Sequence, residues 1–380
     1  MSEFNLPTNV PLLDLKRVES LLHDEMKAGL ARVVDSGIYI LGQEIKKCEE
    51  SISAYCQAKH GIACASGTDA LLLAMMALDI GPGDEVILPS FTFFATAGSA
   101  ARLGASLKFA DILPDSFCID PASVRKLVTP KTKAIVPVHL YGQSADMDAL
   151  NDISREYNIP IIEDSAQAIG AEWKGQRVCG MGAFGCLSFY PTKNLGTAGD
   201  GGMVTTNDDA LAEKVEMLRV HGMKPRYYHQ LVGINGRLDA FQGAVLNVKF
   251  PHLDSWIDMR QNNARLYAEK FAEKGLEEFV CVPRQIHPGR HVWNQYVVRI
   301  LGGKRDELRA FLTERKVGSE IFYPFGVHEQ PCFAKKGLHW DNLPETERAG
   351  KEVLALPNFP GLTEAEQQVV VNTIAEFFGK

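Results

Sequence analysis

Between Gly61 and about Thr206 the chain repeats one pattern: a short unbroken apolar run, a turn, a helical segment, then another run. The runs EVILP (85–89), KAIVPVHL (133–140), IPIIED (159–164) and GCLSFY (185–190) lack the polar–apolar alternation of a strand with one wet face. Strands buried on both faces read this way, and they need helices to cover them. The intervening DALLLAMMALDI (69–80) and SADMDALNDISREYN (144–158) carry helical spacing and end at Gly, Pro or Asn. The expected fold is α/β, three layers about a mostly parallel sheet.

The pattern changes after KFPHLDSW (249–256), where DMRQNNARLYAEKFAEKG (258–275) reads as one long polar helix. A strand at WNQYVVRI (293–300) and helices at RDELRAFLTERK (305–316) and EAEQQVVVNTIAEFF (364–378) follow. We therefore expect a large domain over 1–250 and a smaller α+β domain over 251–380, with the N-terminal residues packing against the smaller one. A length of 380 residues suits two cores better than one.

Composition removes several function classes. A net charge of -7 and no cluster of Lys and Arg give no electrostatic footprint for nucleic acid. The N-terminus lacks the basic start and apolar run of a signal peptide, and no stretch is long and apolar enough to span a membrane, so the cytoplasm is the expected location. Eight cysteines without a CxxC pair or a His at zinc spacing predict reduced structural thiols and no metal site.

Ligands of parallel sheets gather beyond the carboxyl ends of the strands, so polar residues there carry the functional reading. ACASGTDALLLA puts Ser66, Gly67 and Thr68 at a helix start, where free N–H groups, a hydroxyl and the helix dipole suit a phosphate. Ser and Thr also cap helices with no ligand present. Asp164 closes IPIIED; it either caps the next helix or faces a cationic ring nitrogen of a cofactor, with Gln167 adding a hydrogen bond from the same turn. In SFYPTKNLGTAGDGG (188–202), Lys193 follows an apolar strand in a Gly-rich loop. A loop lysine is ordinarily a solvated surface charge. These flanks argue instead for an enclosed amine, whose pKa falls on desolvation and which can then attack a carbonyl.

In this order, SGTDA, PSFTFFAT, PVHLYGQSADMDAL, IIEDSAQAIGA, SFYPTKNLGTAGDGG and VGINGRLDAFQ resemble the fold type I enzymes that use pyridoxal 5'-phosphate (PLP). Within them the likeness narrows to the DegT/DnrJ/EryC1/StrS sugar aminotransferases. It runs from Gly42 to Gln242 and more weakly to the C-terminus. The resemblance implies that Lys193 carries PLP as a Schiff base and moves protons, and that Asp164 keeps the pyridine nitrogen protonated. It implies Gln167 near the ring's phenolic oxygen, Phe93 stacked on the ring, and Gly67, Thr68 and Ser188 on the phosphate. Asn235, in GINGR, matches an asparagine reaching the phosphate of a neighbouring subunit's cofactor, so a homodimer with shared sites is expected.

Tyr323 and His328 in YPFGVHEQP resemble a substrate-proximal segment of the family, although Phe325, Gly326 and Val327 stand where its usual pattern has x-Pro-Leu. Arg226, Tyr228 and His229 precede GINGR where the family meets the sugar nucleotide; an exposed turn is the equal alternative. The implied reaction is ping-pong transamination, with L-glutamate converting PLP to pyridoxamine phosphate, which then aminates a nucleotide-linked keto sugar. HGMKPRYYHQLVGINGRLDAFQ leans toward UDP-linked 3-keto N-acetylated sugars. The rivals are a dTDP-4-keto-6-deoxysugar aminotransferase, a dehydratase of the same fold (whose family members have His at the Lys193 position) and a regulatory protein that binds PLP or a sugar nucleotide without turnover.

Overall fold

The computed structural model describes residues 7, 9–334, 340 and 342–380. Its first strands are β1 (His60–Cys64), β2 (Glu85–Pro89), β3 (Ser106–Ala110), β4 (Thr132–Ile135) and β5 (Ile162–Asp164). A small hairpin of β6 (Glu172–Trp173) and β7 (Gln176–Arg177) precedes β8 (Phe184–Ser188) and β9 (Gly202–Thr206). β3, β2 and β4 pair in parallel, as do β5 and β8. Parallel bridges Ile135–Ile161 and Val138–Asp164 join the two groups into one surface. β9 alone runs the other way, antiparallel to both β8 and β1. The sheet is mostly parallel, as the unbroken apolar runs predict.

The helices show why both faces are dry. Helix Gly67–Ala77 is apolar nearly all round and buries Leu71, Leu73 and Met75, the behaviour of a helix enclosed on every side. Helix Met147–Tyr157 is amphipathic: it buries only Met147, Leu150 and Ile153, is capped by the Asp146 carboxylate on the Ala149 N–H, and stops at Asn158 in the left-handed region.

A second core forms on the antiparallel sheet of β10 (Val280–Cys281), β11 (Tyr296–Ile300) and β12 (Val353–Leu356). The long helix begins at Leu253, earlier than its polar pattern indicated, because the turn Phe250–His252 runs straight into it. Its Leu253 and Ile257 pack in the core of the large sheet, and its Tyr267 and Phe271 in the second. One rod thus serves both. The N-terminal segment lies on the second core, where Val10 exchanges main-chain hydrogen bonds with Lys316 and Gly318.

Candidate active site

Asp164 ends β5 between β8 and the chain that continues from β4, and its side chain is buried. Each of its oxygens accepts one hydrogen bond: Oδ2 from Thr96 Oγ1 at 2.8 Å, and Oδ1 from the Ala166 N–H at 3.2 Å. Because the Thr96 proton goes to Asp164, the 3.1 Å contact between the Thr92 and Thr96 hydroxyls must run from Thr92. Burial raises the Asp164 pKa above the ordinary carboxylate range, opposed by these hydrogen bonds and by Lys193 and His139. A carboxylate with two acceptor positions still open can take a cationic N–H donor.

Lys193 stands in the loop after β8. Hydrogen bonds tie that loop on both sides: Phe189 N–H to Gly201 O, Lys193 N–H to Tyr190 O, Asn194 Nδ2 to Val292 O, and Ala198 N–H to Gln242 Oε1. The Lys193 side chain keeps some accessible surface, but that surface faces a cavity whose walls include Arg260, Asn294 and Phe322. Desolvation lowers its pKa to about 8, against an upward pull from Asp164. The two groups form no direct ion pair. This is the enclosed amine that the flanking sequence predicts.

Gly202 on β9 is the register partner of both Cys64 on β1 and Ser188 on β8, which brings the ends of those strands to one level. The helix start at Gly67 therefore meets Ser188, and a Cβ on Gly67 would lie 2.6 Å from the Ser188 Cβ. Only glycine fits there. Ser66 caps this helix on the Asp69 N–H, and Thr68 is exposed at its first turn. Gly67, Thr68 and the Ser188 hydroxyl thus share one anion-compatible corner beside the Lys193 loop.

Gln167 accepts from the Tyr141 N–H at 2.7 Å and donates to the Tyr323 hydroxyl at 3.2 Å. Burial and the nearby Asp164 carboxylate raise the Tyr323 pKa, so it stays a neutral phenol. Phe93 is 59% exposed, with its ring centroid 6.3 Å from that of Tyr323. His328 lies 2.6 Å through Nδ1 from the Ser90 hydroxyl at the end of β2. Other predicted residues stay apart: Arg226, Tyr228 and His229 lie on an exposed arm, where Arg226 covers the Tyr227 ring and His229 Nδ1 is 2.9 Å from His221 O. Asn235 is exposed and its side chain bonds to no described residue. Within one chain, neither the arm nor Asn235 reaches the Lys193 cavity through any hydrogen bond or ring contact.

Several contributors escaped the sequence reading. Thr96 and Thr92 were visible only as part of PSFTFFAT, and no local pattern shows that a hydroxyl on one helix meets a carboxylate 68 residues away. Arg260 reads as one cation of a polar helix face, yet it is buried beside Lys193. Ser90 could have been suspected, since it directly follows a buried strand.

An enclosed amine and a buried carboxylate at the carboxyl edge of a parallel sheet are groups that carbonyl–amine chemistry requires. The model of the DegT/DnrJ/EryC1/StrS aminotransferase family matches residues 21–375, and the chain belongs to that family. It is 51% identical to the pleiotropic regulatory protein of Geobacillus stearothermophilus, over 97% of this chain and 99% of that one. It is 40% identical to the UDP-N-acetyl-3-dehydro-alpha-D-glucosamine 3-aminotransferase of Acidithiobacillus ferrooxidans, over 94% and 95% of the two chains. DesV of S. venezuelae, solved in complex with a ketimine intermediate, is 40% identical and superposes with a TM-score of 0.93 over 98% of this chain and 99% of its own. The chain is an aminotransferase. Among the described residues no helix is long and apolar enough to cross a membrane.

The side chains fit PLP. Gly67, with no Cβ, lets the helix start approach Ser188 closely where N–H groups are free, Asp164 retains acceptor positions, and Lys193 offers an amine bonded to no described residue.

Proposed function

We propose that this aminotransferase uses PLP, cycling through pyridoxamine phosphate, to convert a nucleotide-linked keto sugar to an amino sugar with L-glutamate as donor. The observation that carries the reading is the pair of opposed environments at one strand edge: Lys193 pushed toward the free amine, and Asp164 buried with open acceptor positions. When bound, PLP supplies an electron-withdrawing ring that acidifies the carbon bearing the donor nitrogen. Asp164 holds the proton on the ring nitrogen. Lys193 accepts and returns the proton at that carbon. Gln167, Phe93, Gly67, Thr68 and Ser188 would hold the group, with Gln167 and Phe93 toward its ring and Gly67, Thr68 and Ser188 toward its phosphate. Tyr323 and His328 would contact the sugar.

A homodimer is part of this reading. Val34, Ile38 and Tyr39 are exposed apolar side chains, as are Tyr227, Tyr228 and Val232 on the arm. A second copy would cover such surface and present Asn235, Arg226, Tyr228 and His229 to the neighbouring cavity. The division into 1–250 and 251–380 is retained as a proposal, with helix Leu253–Glu273 as the shared rod.

The substrate we favour is a UDP-linked 3-keto N-acetylhexosamine, supported by the name of the Acidithiobacillus relative. The test offers UDP- and dTDP-linked 3-keto and 4-keto sugars with glutamate and reads products by mass spectrometry. Amination of the UDP-linked 3-keto sugar is expected; preference for a dTDP-4-keto sugar would move the substrate to the rival class. The name of the Geobacillus relative favours a second reading, a regulator. A PLP-loaded protein that aminates nothing in this panel would support it.

A further inference from the structure

The cavity that Lys193 lines continues away from the phosphate corner toward the second core. It has a volume of about 160 Å³, with Leu13, Phe322 and Leu356 forming apolar walls. Arg260 closes one side. Its side chain is 3% exposed, and its Nη1 donates to the main-chain oxygens of Trp293, Asn294 and Asn358. Its Nε is buried without a partner, and no described carboxylate pairs with it. Buried charges are normally paired, because removing an ion from water costs several kcal/mol. Carbonyl dipoles stabilise the guanidinium in part; Nε is sealed from the cavity, and Nη2, which bonds to no described residue, is the donor left for an anion.

The donor's chemistry sets where that anion must be. In an α-amino acid the amine and the carboxylate share one carbon, so a donor whose amine reaches the position of the Lys193 amine carries its carboxylate within a few ångströms. The cation bordering the same cavity as Lys193 is Arg260. The volume suits a short aliphatic acid and is too small for a nucleotide sugar.

We infer that this cavity is the amino donor's subsite, with Arg260 as the residue that binds the donor carboxylate. The inference rests on the aminotransferase reading with an amino-acid donor. Neither the sequence motifs nor any relative's name points to Arg260, which lies outside every motif of the family likeness.

The test measures equilibrium binding of glutarate, a dicarboxylate that cannot react, to the PLP-loaded protein by titration calorimetry, with the uncharged diamide as control. Arg260→Lys keeps a cation but loses the planar fork. Leu12→Trp fills the cavity from its N-terminal wall and leaves the Arg260 hydrogen bonds alone. Each should weaken glutarate at least tenfold and raise the KM for glutamate in parallel. The KM for the keto sugar should change less than twofold, a split that a merely structural Arg260 does not produce. Wild-type protein that fails to bind glutarate, or a folded Arg260→Lys that binds it normally, overturns the subsite. If Arg260→Lys does not fold, normal glutarate binding by Leu12→Trp overturns it instead. Arg260-dependent glutarate binding in a protein that transaminates with no amino acid would uphold the carboxylate site and remove the proposed function.

Discussion

The most direct physical claim is that Lys193 carries an amine unlike the other lysines, and it can be measured before any substrate is known. With a pKa of about 8, roughly a quarter of the Lys193 amines are neutral at pH 7.5, against about one in a thousand for an ordinary lysine. That is a gain of about two hundredfold in free nucleophile. Trace labelling of the cofactor-free protein with acetic anhydride across pH, read peptide by peptide, should give Lys193 a midpoint near 8. Asp164 pulls the Lys193 value upward, so Asp164→Asn should move the midpoint lower still. Stability follows the same linkage. Between about 8 and 10.5 the unfolded chain binds a proton that folded Lys193 does not, so apo stability from this group rises with pH across that window. Below it the full destabilisation persists, and Lys193→Met should stabilise the apo-protein at pH 7 by about 1–3 kcal/mol and by little at pH 10.5. Lys193 labelling that tracks the surface lysines would refute the claim that desolvation activates it.

Asp164→Asn should retain PLP and lose turnover by at least about a hundredfold, since a neutral amide cannot hold the ring proton; absorbance of bound cofactor and steady-state rates check both halves. Gly67→Ala should cost about 1–3 kcal/mol in thermal unfolding, because its Cβ meets Ser188 at 2.6 Å, and should weaken PLP capture in proportion to the displaced corner. Glu163→Gln should lower stability by about 1–3 kcal/mol while leaving the bound-cofactor spectrum unchanged. Lys193→Ala and Asn235→Asp homodimers should both be impaired, yet mixed dimers should regain activity at the one site that combines intact Lys193 and Asn235; mixed dimers verified by mass that stay inactive would confine Asn235 to its own subunit.

Much of this was legible because the sheet is buried on both faces. Unbroken runs such as EVILP mark strands whose ends can be read directly, and β2 occupies that run, Glu85–Pro89. The alternation of runs and helices also placed Asp164 at a strand end and Lys193 just beyond one, where ligands collect. Two things were not legible. The reversed strand of the large sheet, β9, is short and buried like its neighbour β8, and direction is set by pairing that no local pattern encodes. Arg260 and Thr96 act across long sequence separations, so their roles exist only after folding brings Asn358 to one and Asp164 to the other.

Glu163 and Asp164 show most sharply what the chain alone withholds. They are adjacent acids at the end of one apolar run, and in a strand adjacent side chains point to opposite faces. Both are buried, and nothing in IIED ranks one above the other. Their hydrogen bonds do. Glu163 accepts from the N–H groups of Cys179, Met181 and Gly182 and from His139 Nε2, whose ring is oriented by the Ala145 N–H on Nδ1. Four donors saturate that carboxylate, so it can only hold the approach to β8 in shape. Asp164 accepts two and has room for a third, cationic, donor on the face that Lys193 and Tyr323 share. The difference between a structural acid and a chemical one therefore lies in unsatisfied acceptor capacity, which strand parity and the 179–182 turn decide together. The contrasting losses expected for Glu163→Gln and Asp164→Asn, stability in one and turnover in the other, follow from that count alone.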